Sequence, residues 1–187
     1  MYRLEIEALD LGADVRAVAL ELTEADENRE PARGADAARI WARVLEATAA
    51  SEPWALDFFS HLDRVKDYCT SRGIAYRQAN QRSVVVPAPQ AAVLEELLGR
   101  FEGETFGARA GARMASGAAA DSALETELAR RGVDAYHRAF ADYFFCAVCA
   151  FEDGSLVLLS EKLGASEVTR RVRPVVKNIG VEVQLPN

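Results

Sequence analysis

Residues 143–161, YFFCAVCAFEDGSLVLLSE, constrain the fold more than any other stretch of the chain. Two apolar runs flank Asp153-Gly154, a dipeptide that favours the two-residue turn of a β-hairpin. With those two residues as the turn, Glu152 pairs with Ser155, Phe151 with Leu156 and Cys149 with Leu158. Alternation along the strands then sends Phe145, Ala147, Cys149 and Phe151 to one face with Leu156 and Leu158. Phe144, Cys146, Val148 and Ala150 go to the other face with Val157 and Leu159. A hairpin that is apolar on both faces belongs inside a sheet covered on both sides, by helices or by a partner chain.

The same stretch holds the closely spaced cysteines, Cys146 and Cys149. On a regular strand, residues three apart diverge to opposite faces and cannot reach one metal ion. No helix start or basic neighbour is there to lower a thiol pKa for redox work. Cys69, His61, His137 and the carboxylates offer no paired metal-ligand spacing. The cysteines read as core residues, with zinc binding through Cys146 and Cys149 the third-ranked function.

Around this hairpin the chain alternates strand and helix signals. Tyr2 to Ala8 and Val18 to Leu22 alternate apolar and polar residues, predicting a hairpin, and Ala37, Ile40, Trp41, Val44 and Leu45 form one stripe of a helix. The spacing of Trp54, Phe58, Leu62, Val65 and Cys69 predicts a second helix, capped by Ser51 and leaving at Gly73. On it, Asp57 and His61 would stand one turn apart. Ile74 to Ala79 and Ser83 to Pro87 predict a shorter hairpin, and Val93, Leu94, Leu97, Leu98 and Phe101 another helix. Ser122 and Glu125 have capping-box spacing before a helix ending at Gly132, with one more helical segment over 133–141. A helix from Ser166, which Pro174 should kink or restart, and a strand from Gly180 to Leu185 complete the chain.

Hairpin followed by helix therefore recurs at 2–50, 74–101 and 143–178, without residue-level self-similarity. The fold class is α+β: a mostly antiparallel sheet of hairpin-helix units covered by helices. Residues 83–185 permit a ferredoxin-like C-terminal half. A single domain over 1–187 is expected, divisible into 1–101, a Gly/Ala-rich loop or linker at 102–120, and 121–187.

Composition narrows the function. The chain has 187 residues, 50% of them hydrophobic, and a net charge of −7, which disfavours a phosphate-tracking nucleic-acid surface. Abundant alanine, and arginine in place of lysine, give it a bacterial-like composition. No apolar run approaches the length of a membrane span, and the N-terminus lacks the features of a signal peptide. Three cysteines fit reduced thiols in the cytoplasm.

Candidate sites are few. Arg109 and Arg113, in FGARAGAR, with His137 could hold a small anion. Arg170, Arg171 and Arg173 form the densest basic cluster and could meet an acidic partner. No catalytic residue, metal site or cofactor motif is readable. The expectation is a non-catalytic cytosolic interaction or regulatory protein, with self-association or an acidic protein as partner. The alternative is an enzyme or ligand-binding domain recognising a small anion through Arg109 and Arg113.

Overall fold

Residues 143–161 do fold as a hairpin, with a longer turn than Asp153-Gly154 implies. Strand β7, Phe145–Ala150, and strand β8, Ser155–Ser160, are joined by a 3-10 turn over Phe151–Asp153, and Gly154 closes the loop in the left-handed region. Cys149 pairs with Leu156 and Ala147 with Leu158, two residues from the expected register. Because side chains alternate with a period of two, that shift keeps both cysteines on their expected faces; Phe144, just before β7, is the exception and packs against the larger core with Cys149 rather than on the face of Cys146.

The structure is a computed structural model and describes residues 1–10, 16–115 and 122–185, apart from a few side chains that include those of Arg113 and Ser122. In chain order the remaining elements are β1 (Tyr2–Asp10), β2 (Arg16–Glu24), α1 (Gly34–Ala49), β3 (Trp54–Phe58), α2 (Leu62–Arg72), β4 (Arg77–Asn80), β5 (Ser83–Pro87) and α3 (Ala91–Arg100). They continue with β6 (Thr105–Ala110), α4 (Ala112–Ala115), α5 (Ser122–Arg131), α6 (Tyr136–Ala139), α7 (Ala165–Lys177) and β9 (Val181–Gln184). All nine strands join one sheet in the order β4-β5-β3-β6-β7-β8-β2-β1-β9, antiparallel throughout except where β9 runs parallel to β1. The expected α+β class and the three hairpin-helix units are present.

Two expectations are corrected. The helix anticipated from Ser51 to Gly73 is β3 followed by α2. The apolar residues of the strand happen to continue the spacing of the helix behind it, so one stripe spans two elements. The segment 102–120 is not a linker where it is described, since Thr105–Ala110 forms β6 near the middle of the sheet. In addition, α7 runs unbroken through Pro174.

The ferredoxin-like arrangement lies over 54–110, not 83–185. There β3-α2-β4-β5-α3-β6 is a βαββαβ unit whose strands stand in the spatial order 4-1-3-2 when read from β6. Reading outward from β7 gives the same pattern again. β7-β8-β2-β1 matches β6-β3-β5-β4, with α7 following β8 as α2 follows β3, and α1 following β2 as α3 follows β5. This second half is assembled from both flanks of the first and carries β9 as an extra strand. The two halves meet where β6 pairs with β7 and α1 packs on α3.

Helices α1, α2, α3 and α7 cover one face and enclose the larger core, where the fully buried Trp41 stacks on Phe151 with ring centroids 4.8 Å apart. On the other face, residues 124–143 form a smaller core over Ala17, Cys146 and Leu159 through Leu124, Leu128, Tyr136, Phe140 and Tyr143. No helix among the described residues is long and apolar enough to cross a membrane.

Candidate functional site

The smaller core contains the strongest concentration of charge inside the chain. Alternation along β6 sends Phe106, Ala108 and Ala110 into the larger core and turns Gly107 and Arg109 to the other face. Asp57 of β3 stands opposite Gly107 in the register, one step from Arg109. Arg109 is wholly buried and clamps Asp57 with two bonds: Nε donates to Oδ2 at 2.8 Å and Nη2 to Oδ1 at 3.0 Å. Nη2 also reaches Glu125 Oε1 of α5 at 3.3 Å. Arg77, at the sheet's edge, donates to both oxygens of Glu125, one of these bonds being 2.9 Å. The Tyr136 hydroxyl donates to Asp57 Oδ2.

The surroundings move all three acids from their ordinary values. Burial raises the Asp57 carboxyl above its ordinary value, against the opposing pull of Arg109 and of the Tyr136 hydrogen bond. Burial, and then the Asp57 charge, hold the Tyr136 phenol well above the usual range. Burial also pushes Glu125 upward, but the combined pull of Arg77 and Arg109 leaves it below its ordinary value. Two guanidiniums thus face two carboxylates, and the cluster pins 124–143 to the sheet.

This placement changes the meaning of the predicted anion site. Arg109 is engaged inside the fold, whereas His137 is exposed on α6, so the structure does not bring the two together at a common pocket. The Arg113 side chain lies outside the described residues. Asp57 and His61 do not share a helix: His61 caps α2 with φ of 46°, and its Nε2 lies 3.1 Å from Glu104. Arg170 and Arg171 both bind Glu167, at 2.7 and 2.6 Å, and these hydrogen bonds pull its carboxyl down to about 2. Arg171 also donates to the Thr48 carbonyl at 3.0 Å and lies over the Phe144 ring, while Arg173 is exposed.

Cys149 and Cys69 are buried in the larger core and Cys146 in the smaller one, on opposite sides of the sheet. Burial pushes the Cys149 and Cys69 thiols up. With a chromogenic disulfide reagent at neutral pH, the native chain is expected to show no rapidly reacting thiol, and all three should react in denaturant. One fast thiol in the folded protein would contradict this. Among the described residues, no group of three or more His, Cys, Asp or Glu side chains is placed to hold a metal ion.

Beside the ion cluster lies a cleft of about 670 Å³ at the ends of β3, β4 and β5, lined by Pro53, Trp54, Tyr76, Pro87, Met114 and Arg77, with Glu52 also on its wall. Its surface is mainly apolar, and Tyr76 is one of three large hydrophobic residues exposed among the described residues, with Met1 and Leu185. Arg77 belongs to both sites, lining the cleft while bound to Glu125. Sequence reading missed the cleft because it assigns Trp54 to a helix's inner face and Tyr76 to an ordinary strand. A half-exposed Trp and Tyr flanked by Pro53 and Pro87 are the only local signal. No family model matches the chain, and no curated protein or solved structure matches it significantly.

Proposed function

We propose that the chain is a non-catalytic interaction protein of the cytosol, which docks an apolar segment of a partner in the cleft between Trp54 and Tyr76. The observation that carries this reading is the cleft itself: aromatic, proline and methionine side chains gathered at one accessible place, whereas the other exposed large hydrophobics among the described residues, Met1 and Leu185, stand near the chain ends. The ionisable cluster favours the same conclusion. Asp57 and Arg109 are sealed from solvent and satisfied by each other, so recognition of an anion by Arg109 would first have to strip a buried carboxylate of its partner.

Peptides selected by display against the wild-type chain test the proposal. Trp54→Ala combined with Tyr76→Ala is expected to weaken their binding at least about tenfold, within the usual effect of removing aromatic anchors, while the circular dichroism spectrum stays unchanged. Equal binding to both proteins would remove the cleft as the docking site. Native mass spectrometry of the same two proteins under reducing conditions identifies the case in which the partner is a second copy: a dimer that the double variant dissolves.

A further inference from the structure

We infer that the cleft takes the C-terminal end of a partner chain, with an apolar last side chain among Trp54, Tyr76 and Met114 and its free α-carboxylate on Arg77. The inference rests on the docking reading and specifies its ligand. Among the described residues Arg77 is the only cationic one lining the cleft, and its register partner Val85 forms part of the floor. A cation therefore stands directly beside an apolar surface. A C-terminal residue offers the matching arrangement, because its carboxylate and its side chain share one carbon. An internal aspartate or glutamate would instead bring a polar side chain to the apolar wall.

The Glu125 ion pair does not preclude this role. The side chain of Arg77 is 36% exposed and that of Glu125 6%, so the Arg77 side chain stays partly open to solvent while bound to Glu125. A planar guanidinium with five N–H donors can serve two carboxylates at once. Arg109 does so within this same cluster, binding Asp57 and Glu125 together. The partner's carboxylate would accept from Arg77 as Glu125 does, and capture of a terminal carboxylate is a recurrent mode of peptide recognition.

Calorimetric titration with the peptide Gly-Ser-Gly-Ser-Phe-Leu, as free acid and as carboxamide, tests the inference on the wild-type protein. The acid is expected to bind at least about tenfold more tightly than the amide, with the preference shrinking as salt is raised. Arg77→Met, checked for folding by circular dichroism, should reduce the preference to within about twofold. Equal binding of acid and amide overturns the inference, as does a preference that survives Arg77→Met or the absence of saturable binding. Equal binding that is nevertheless lost in the Trp54→Ala, Tyr76→Ala protein would leave cleft docking in place and remove only the terminal carboxylate. If N-acetyl-leucine binds as tightly as the hexapeptide acid, the ligand is a small apolar acid and the assignment to a chain terminus falls.

Discussion

Arg109→Met is expected to lower stability by about 3–5 kcal/mol at neutral pH, the range for breaking a buried ion pair from one side. Methionine fills much of the arginine's volume, so the loss comes chiefly from charge. Asp57, 1% exposed, would keep the Tyr136 hydrogen bond but lose both guanidinium bonds. The pH dependence separates this cause from a packing defect. Burial already holds the folded-state value of Asp57 above its ordinary 3.8, so its stabilising contribution is complete below that value and is lost as pH rises through the folded value. Removing Arg109 raises the folded value further and widens that window. Glu125 works in the opposite sense, since its depressed value contributes stability above the ordinary 4.5 that is lost as pH falls, and in the variant it retains Arg77. Urea denaturation should therefore show a smaller difference between variant and wild type at about pH 5 than at about pH 7. A difference independent of pH would mean that Asp57 is not the group left exposed to the loss.

Gly107→Ala should destabilise the chain by about 3 kcal/mol, against the usual expectation that alanine improves on glycine in a strand interior. Position 107 has no unusual backbone angle; the reason is occupancy. An added Cβ would overlap the hydroxyl and ring of Tyr136, which lies across the strand at this point to reach Asp57. Relief would move the ring and sacrifice a hydrogen bond to a charged group, worth about 1.5–3 kcal/mol. Combining the substitution with Tyr136→Ala should cost less than the sum of the two single changes by about 1 kcal/mol or more, read from urea midpoints. Strict additivity would show that the two residues do not compete for the space.

The same residues explain what was legible in the sequence. Strands with alternating apolar residues, such as Tyr2 to Ala8, and helices with one apolar stripe, such as α1, were readable because each buries one face. The hairpin of β7 and β8 was readable down to which side each cysteine faces, even though its turn is two residues longer. β6 was hidden because one face of it carries Gly107 and Arg109 where an apolar side chain would be expected. Its glycine makes room for Tyr136 and its arginine meets Asp57, and both needs arise from parts of the chain distant in sequence. Asp57 was hidden by the coincidence of spacing that merged β3 with α2. The ion cluster thus depends on four segments, 54–58, 77–80, 105–110 and 122–143, whose local patterns do not announce one another.

The split construction of the sheet has a consequence for how the chain matures. Residues 54–110 make their half from consecutive elements, so its contacts close over short distances. The other half needs β2 to find β8, joining Arg16 to Ser160, and during synthesis from the N-terminus β2 must wait until most of the chain has emerged. Until then the β1–β2 hairpin carries an open edge with Val18, Leu20 and Leu22 along one side, a template for pairing with other chains. The nascent hairpin is therefore expected to be open to aggregation during synthesis, until β8 covers the edge of β2 and β9 then covers that of β1.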